Sequence, residues 1–162
     1  MTIIRDLTEK DFLRVLDLND SEVQHTSAMD IERLEWLCSL SAYRKVAVVD
    51  DEVAGFILVM REGAVYPNEN YDFFATRYPE FLYVDRIVVD QNFAGRRVGS
   101  AIYEHLFGHA RSSGVAVVTC EYNLVPPNLP SQAFHNKFGF KEQGTQWLNG
   151  RSKKVSLQAS LV

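Results

Sequence analysis

The chain has 162 residues, a length typical of one domain with its own hydrophobic core. Apolar residues make up 46% and charged residues 23% of it, values that exclude a disordered or fibrous protein. The formal net charge of -4 lacks the basic excess of a non-specific nucleic-acid binder, so we expect no nucleic-acid partner. An anionic ligand must then be held by a local arrangement of groups rather than by the overall field.

The sequence shows no signal for secretion, membrane insertion or a disulfide framework. The first residues lack a basic segment followed by an apolar run, and no stretch of about 18 apolar residues occurs. Cys38 and Cys120 form no C-x-x-C pair, and we interpret both as buried, reduced thiols. We therefore expect a cytoplasmic protein with no membrane partner, built as one domain over residues 1–162.

The first part of the chain predicts a strand, two helices and a β-hairpin. Residues 2–5 are β-rich, and Thr8 has the side chain of a helix N-cap before residues of helical spacing. A second helix is predicted over residues 30–40, and strands over 45–49 and 53–60 flank Asp50-Asp51-Glu52. Residues 19–27 and 63–79 are expected to be loops, and the length and aromatic content of the second favour a functional loop.

The second part of the chain alternates strands and helices before a final hairpin. A strand over residues 81–90, a turn over 91–99 and a helix ending near Ser112 come first. A strand over 115–122, an irregular segment over 123–130 and a helix over 131–138 follow. Strands over 140–148 and 155–161 then flank Asn149-Gly150, a strong hairpin signal. The order β-α-α-β-β-β-α-β-α-β-β predicts a mixed α/β domain.

The turn over residues 91–99 has the features of an anion site. It joins a strand to a helix whose first backbone N–H groups have no helical partner, and the helix dipole favours an anion there. Gly95 and Gly99 allow close approach of the backbone, and Arg96 and Arg97 add positive charge. The spacing matches neither a Walker A pattern nor G-x-G-x-x-G, so a helix that merely begins with a tight turn is the alternative.

Two stretches of the sequence resemble the GNAT N-acetyltransferase superfamily. Residues 87–101, Ile-Val-Val-Asp-Gln-Asn-Phe-Ala-Gly-Arg-Arg-Val-Gly-Ser-Ala, are similar to its acetyl-CoA motif, Arg/Gln-x-x-Gly-x-Gly/Ala after a strand. Residues 128–140, Asn-Leu-Pro-Ser-Gln-Ala-Phe-His-Asn-Lys-Phe-Gly-Phe, are similar to its N-x-x-A/S-x-x-x-Y-x-x-x-G-F motif. Ala94 stands where the family usually has Arg or Gln, Arg97 where it often has Gly, and His135 where it usually has Tyr.

The resemblance implies a fold and a coenzyme site. The fold is then a GNAT-like α/β fold, with a mostly antiparallel, twisted sheet of about seven strands, splayed in the middle, and about four helices. Acetyl-CoA is the implied cosubstrate, with no metal, and its pantetheine pairs with the backbone of Ile87 and Val89. The other implied coenzyme contacts are Val88, Ala94, Gly95, Arg96, Arg97, Val98, Gly99, Ser100, Asn128, Ser131 and His135.

The implied reaction is transfer of an acetyl group to a primary amine, which needs a base, an oxyanion donor and a proton donor. Glu121 interrupts an apolar strand near its end and is the first choice of base, with a solvated or paired carboxylate as the alternative. Asp85 is the second choice, with an ion pair to a neighbouring Arg as its alternative. The backbone N–H of Val88 is the candidate oxyanion donor.

The histidines and Asn128 have separate interpretations. His135 takes the place of the family tyrosine as candidate proton donor, with a hydrogen bond near the CoA sulfur or simple packing as the alternative. Asn128 either orients the pantetheine or caps a helix, and the two roles are compatible. His105 and His109 have the i, i+4 spacing of metal ligands, but no third ligand accompanies them, and His25 stands alone.

The acceptor is expected to be a small-molecule or peptide amine. Residues 19–27 and 63–79 fall where the family builds its substrate walls, and their aromatic and acidic side chains are candidate pocket residues: Tyr66, Tyr71, Phe73, Phe74, Asp20, Glu22 and Glu69. The hairpin at Asn149-Gly150 is a candidate surface for a homodimer. The alternative to an enzyme is an acyl-CoA-sensing module of the same fold, which the departures from the family motifs keep open.

Overall fold

A seven-stranded sheet runs through the molecule, with helices packed on both faces. The computed structural model describes residues 1–23 and 26–162. The strands are β1 (Thr2–Asp6), β2 (Tyr43–Val49), β3 (Glu52–Arg61), β4 (Leu82–Val89), β5 (Val117–Val125), β6 (Lys141–Leu148) and β7 (Lys153–Leu161). The helices are α1 (Phe12–Ser21), α2 (Ile31–Leu40), α3 (Glu69–Ala75), α4 (Val98–Ser112) and α5 (Leu129–Lys137).

The sheet order is β1-β2-β3-β4-β5-β7-β6, and only β4 and β5 pair in parallel. The prediction of a mostly antiparallel α/β sheet of seven strands is therefore confirmed. The described residues contain five α-helices rather than the expected four. None of these helices is long and apolar enough to span a bilayer.

Each face of the sheet buries its own apolar core. Helices α1, α2 and α3 cover one face, where Val15, Leu34 and Phe74 are fully buried. Helix α4 covers the other face through Ile102 and Leu106, and α5 adds partly buried aromatic side chains beside it. A helix buries one stripe of side chains, so two layers of helices are needed to cover both faces of the sheet.

Three local predictions are corrected. Residues 63–79 are not all loop, because Asn68 caps α3 by accepting a hydrogen bond from the N–H of Tyr71 at 2.9 Å. Residues 123–125 continue β5, since Asn123 still pairs with Val155 of β7 despite the prolines that follow. Helix α1 extends to Ser21 and so takes in the start of the expected loop over residues 19–27, of which residues 24 and 25 lie outside the described residues.

The two central strands separate, as the GNAT-like fold predicts. Strands β4 and β5 pair only at Leu82 with Val118 and at Tyr83 with Thr119. Just after these two pairs, β4 contains a β-bulge. Two successive residues of β3 pair with Val84 and Arg86, so Asp85 between them is the extra residue. A bulge bends the strand that carries it, and β4 diverges from β5 past this point.

Candidate active site

The separation of β4 and β5 leaves a cavity of about 1060 Å³ in the middle of the sheet. Its walls come from β4, the turn before α4, the end of β5, α5 and the segment before α3. The predicted site residues that line it are Asp85, Ile87, Val88, Val89, Ala94, Gly95, Arg97, Val98, Gly99, Ser100, Glu121, Asn128, Ser131 and His135. The fold thus brings together residues from two separate sequence motifs and from β5.

The turn before α4 presents unpaired backbone N–H groups to this cavity. Within residues 1–23 and 26–162, no protein acceptor lies against the N–H groups of Gly95, Arg97, Val98, Gly99 or Ser100. Gly95 and Arg97 have left-handed φ values of 80° and 58°. Backbone turns of this kind form concavities that bind anions, and here the dipole of a 15-residue helix adds to the attraction.

The side chains of the turn contribute less than its backbone. Arg96 lies outside the cavity lining, since its N–H donates to the carbonyl of Phe93 and its guanidinium pairs with Asp50 at 3.0 Å. The structure thus places Arg96 apart from the other predicted coenzyme contacts, and its own contact stays a prediction. The side chain of Arg97 is 80% exposed and lies 3.9 Å from Glu104, so it remains available to an anion at the mouth of the cavity.

Along the free edge of β4, the backbone groups of every second residue point into the cavity. The N–H of Asp90 donates to Ala54 of β3, and the carbonyl oxygen of Val88 lies 2.8 Å from where a Cβ would stand on Gly55. Backbone groups alternate direction along a strand, so Val88 points to β3 whereas Ile87 and Val89 point to the cavity. The prediction of Val88 as oxyanion donor is therefore wrong, and Ile87 and Val89 carry the available N–H groups.

Glu121 lies on β5 where this strand parts from β4. Its carboxylate accepts hydrogen bonds from the hydroxyl of Tyr83, at 2.9 Å from each oxygen, and from Nδ2 of Asn70 at 3.0 Å. Asn70 accepts in turn from Nε2 of Gln146 at 2.7 Å. Burial, reinforced by the charge of Asp85, raises the pKa of Glu121 to about 8. A carboxylate whose pKa lies near physiological pH has the properties of a general base.

Asp85 is held by two partners inside the protein. It accepts hydrogen bonds from the hydroxyl of Tyr66 and from Nε of Arg86 at 2.9 Å, and both charged side chains are 4% exposed. Arg86 also donates to Asn19 and to Ser27. The ion pair that the sequence raised as an alternative is thus present. Asp85 acts on Glu121 as a nearby negative charge, whereas its own oxygens are already bonded.

Both ring nitrogens of His135 bond to protein groups. Nδ1 lies 2.7 Å from the carbonyl oxygen of Ser131, and Nε2 lies 2.7 Å from the hydroxyl of Tyr103. A carbonyl only accepts, so Nδ1 carries the proton, and in the neutral ring Nε2 accepts from Tyr103. Burial lowers the pKa of His135, which is 3% exposed, and favours this neutral form.

Asn128 has the capping role that the sequence allowed. Its Oδ1 accepts from the N–H of Ser131 at 3.3 Å at the start of α5, and its own N–H donates to the carbonyl of Asn123 at 3.2 Å. These two bonds tie the beginning of α5 to the end of β5. The cap therefore positions His135, about two turns further along the helix, against the cavity.

The predicted acceptor residues divide into two groups. Three of them line the cavity: Tyr66, Glu22 and Glu69. The other four do not, since Tyr71, Phe73 and Phe74 pack in or against the core and Asp20 lies at a separate surface hollow. The reason is that α3, which the sequence did not predict, turns its aromatic face towards the sheet. Two basic residues, Arg33 and Lys153, also line the cavity.

His105 and His109 lie apart from the cavity. Nδ1 of His105 shares a hydrogen bond of 2.6 Å with the hydroxyl oxygen of Tyr43. The ring centroid of His109 lies 4.9 Å from that of Tyr43. Burial, together with the charge of Lys45, lowers the pKa of both imidazoles. No group of three His, Cys, Asp or Glu in the described part of the chain has the geometry of a metal site. His25 lies outside that part.

The match to a known family extends over most of the chain. The profile of the Acetyltransferase (GNAT) family matches residues 4–140. The chain belongs to the GNAT acetyltransferase family. No protein of curated function matches it. Family membership supports acetyl transfer in general and leaves the acceptor open.

Solved structures similar to this GNAT domain include several N-acetyltransferases. Ard1 from Thermoplasma volcanium has a TM-score of 0.81 at 18% identity, covering 99% of this chain and 97% of that one. Ribosomal-protein-alanine N-acetyltransferase from Brucella melitensis has a TM-score of 0.73 at 23% identity, covering 99% of each chain. Naa50 from Arabidopsis thaliana, in complex with the bisubstrate analogue CoA-Ac-MVNAL, has a TM-score of 0.73 at 15% identity, covering 98% and 97%. At these identities the similarity shows a shared fold.

The sequence did not predict three residues that bond the titratable groups of the GNAT site, namely Asn70, Tyr83 and Tyr103. Asn70 lies in a segment that the sequence predicts to be a loop. Nothing in the sequence distinguishes Tyr103 from the other residues of the predicted helix α4. Tyr83 did carry a signal, because it lies two residues before Asp85 on a strand that otherwise consists mainly of aliphatic residues. No spacing in the sequence connects any of these three with Glu121 or His135.

Proposed function

We propose that this protein transfers the acetyl group of acetyl-CoA to a primary amine by direct attack within a ternary complex. The observation that carries the proposal is the placement of two unlike features on one cavity. One is the set of unpaired amides before α4, and the other is the buried carboxylate of Glu121, whose pKa is about 8.

The unpaired amides fit the diphosphate of the coenzyme. Charge-assisted hydrogen bonds from backbone N–H groups at a helix start bind phosphate without a matching side chain, so Ala94 in place of Arg or Gln is tolerated. Gly95 leaves open space where a Cβ would stand, and Arg97 adds a mobile positive charge. The cavity-facing backbone of Ile87 and Val89 then pairs with the amides of the pantetheine, as an added strand would.

Glu121 serves as the base. An amine of pKa near 10 is mostly protonated at pH 7 and must lose a proton before it attacks the thioester carbon. The Glu121 carboxylate accepts that proton, and the amine nitrogen forms a bond to the carbonyl carbon. The negative charge that develops on the carbonyl oxygen is met by the N–H of Ile87, the cavity-facing amide nearest the level of Asp85. Collapse then breaks the carbon–sulfur bond and releases CoA as a thiolate, and the nitrogen loses its second proton to solvent to give the neutral amide.

His135 returns a proton to the thiolate with Tyr103 as the relay. The hydrogen bond that Nδ1–H donates to the carbonyl of Ser131 fixes the ring so that Nε2 faces the Tyr103 hydroxyl. The ring takes up a proton from solvent, the Nε2 proton of this imidazolium passes to the Tyr103 oxygen while the Tyr103 proton passes to sulfur, and the ring returns to its neutral form. Because its pKa is lowered, the imidazolium gives up its proton readily.

Three measurements on Glu121→Gln test the proposal: acetyl-CoA binding by thermal melt, CoA release with a panel of primary amines, and mass spectrometry of the acetylated product. We expect acetyl-CoA to raise Tm equally in the wild type and the variant, because a ligand specific to the folded state stabilises it. Turnover should fall about 100-fold or more, the usual contribution of a general base. Glu32→Gln, an exposed residue of α2, is the matched control and should retain wild-type turnover.

Two results contradict the proposal. Wild-type turnover in Glu121→Gln removes the base assignment, and the absence of any melt shift at millimolar acetyl-CoA removes the coenzyme site. A melt shift without transfer to any amine indicates instead the acyl-CoA-sensing module that the departures at Ala94, Arg97 and His135 keep open.

A further inference from the structure

Asn123 carries a buried hydrogen-bond donor that the protein does not use. Its Nδ2 is the one buried side-chain polar atom without a partner among residues 1–23 and 26–162. The residue is 5% exposed and lines the same cavity as Glu121. A buried donor without an acceptor is unfavourable, so such a group in a ligand cavity indicates that a ligand supplies the acceptor.

The position of Asn123 relative to Glu121 restricts where that acceptor lies. The two residues are two apart on β5, so their side chains project from the same face of the strand, separated by about 7 Å along it. The amide torsion of Asn is broad, so a rotation about χ2 turns Nδ2 towards the cavity without moving the strand. The donor therefore lies beside the base, on the acceptor side of the sheet.

We propose that Asn123 binds an oxygen atom on the carbon next to the acceptor's amine carbon, which makes the acceptor an α-amino acid or an α-aminoacyl group. The inference rests on the proposed function, since it takes Glu121 as the base. In such a compound the amine nitrogen and the oxygen lie about 3 Å apart. Two hydrogen bonds of about 2.9 Å, one at each end, then bridge the distance between Glu121 and Asn123.

The charges around the cavity fit a zwitterion better than a polycation. Glu22 and Glu69 line it together with Arg33 and Lys153, so both signs are present. The negative charge of Asp85 is compensated by Arg86. A polyamine would gain little from this arrangement, whereas a compound with an amine and a neighbouring carboxylate or carbonyl finds a partner for each group.

The experiment compares amines that differ only in that oxygen. Wild-type protein is assayed with acetyl-CoA and three matched sets: common L-amino acids, their α-amides, and the decarboxylated amines of the same side chains. We expect kcat/KM for the best amino acid or amide to exceed that of its decarboxylated amine by about tenfold or more. The amino acids test a carboxylate partner, and the amides test the carbonyl that a peptide N-terminus presents.

Two variants identify Asn123 as the source of this preference. Asn123→Ala removes the donor, and Asn123→Asp keeps the size but places a negative charge against the oxygen. Both should lower kcat/KM for the preferred compound about tenfold and keep the acetyl-CoA melt shift, and Asn123→Ala should leave kcat/KM for the decarboxylated amine within about twofold. Asn136→Ala and Asn136→Asp, at an exposed position of α5, are the controls and should behave as wild type.

The outcomes separate this inference from the proposed function. Equal kcat/KM for the amino acids, the amides and the decarboxylated amines overturns the role of Asn123 and leaves acetyl transfer in place. An acetyl-CoA melt shift with transfer to none of the carbonyl-bearing amines also overturns it. The absence of both a melt shift and transfer overturns the proposed function itself. Loss of the melt shift in either Asn123 variant indicates a structural role and contradicts the assignment.

Discussion

The two ends of the cavity are built in different ways. The proposed coenzyme end comes from residues 87–100, a continuous stretch that presents mainly backbone N–H groups. The acceptor end consists of side chains from α3, β4, β5 and β6, such as Asn70, Tyr83, Glu121 and Gln146. A site made of local backbone depends on few side chains, whereas a site made of distant side chains changes with each of them. Because of this difference, the sequence motif of the proposed coenzyme end can be recognised even at low sequence identity, whereas the acceptor end has no such motif.

The largest effect that tests this comparison is expected at the coenzyme end, from Gly95→Val. Gly95 has φ of 80°, a conformation that a β-branched residue strongly disfavours, so the turn must shift and its amides lose their alignment. We expect the Kd for acetyl-CoA, measured by calorimetry, to rise about tenfold or more. Gly108→Ala is the control, since Gly108 lies in α4 with open space around it. An unchanged Kd in Gly95→Val means that the turn amides do not hold the coenzyme.

A smaller effect is expected at the acceptor end, from Asn70→Leu. The hydrogen bond from Asn70 favours the carboxylate form of Glu121 and so holds its pKa down. Its removal should raise that pKa, and the alkaline rise of kcat/KM with pH should move about one unit higher, equivalent to about one hydrogen bond. Gln143→Leu, on the exposed side of β6, should leave the pH profile unchanged. A shift to lower pH contradicts the assignment of Glu121 as the group that titrates.

The smallest effects separate backbone from side chain within the turn. Arg96→Ala should change the Kd for acetyl-CoA less than about twofold, because Arg96 pairs with Asp50 outside the cavity. Arg97→Ala should raise the Kd about three- to fivefold at low salt and less at high salt, because its charge is exposed and screened. A loss in Arg96→Ala as large as that in Gly95→Val would show that side-chain charge, and not backbone, dominates this end.

The fold was predictable because its elements depend on local patterns, and the proposed coenzyme end rests on the same kind of pattern. Strands β4 and β5 are apolar runs in the sequence, which predict buried strands. The glycines and arginines of the turn between β4 and α4 lie close together in the sequence, so that the turn could be predicted from them. The prediction for Val88 failed because its direction depends on the register between β4 and β3. The homodimer through the hairpin at Asn149-Gly150 stays a prediction that gel filtration can test.

The acceptor end was not predictable because it depends on contacts between residues that lie far apart in the sequence. Helix α3 has seven residues, too few for a helical period to stand out, and it supplies the amide that holds Glu121. Tyr103, which bonds His135, and Tyr66, which bonds Asp85, come from positions 32 and 19 residues away in sequence. Only the sheet order and the divergence of β4 from β5 bring these groups together.

The early separation of β4 and β5 also has a thermodynamic consequence. From Val84 to Val89, β4 has no strand partner on its β5 side, so the sheet lacks a set of cross-strand bonds at its centre. A bound pantetheine would restore part of that ladder. The free protein should therefore be least protected against amide hydrogen exchange along this edge, and binding of the first substrate should stiffen the middle of the sheet before the second arrives.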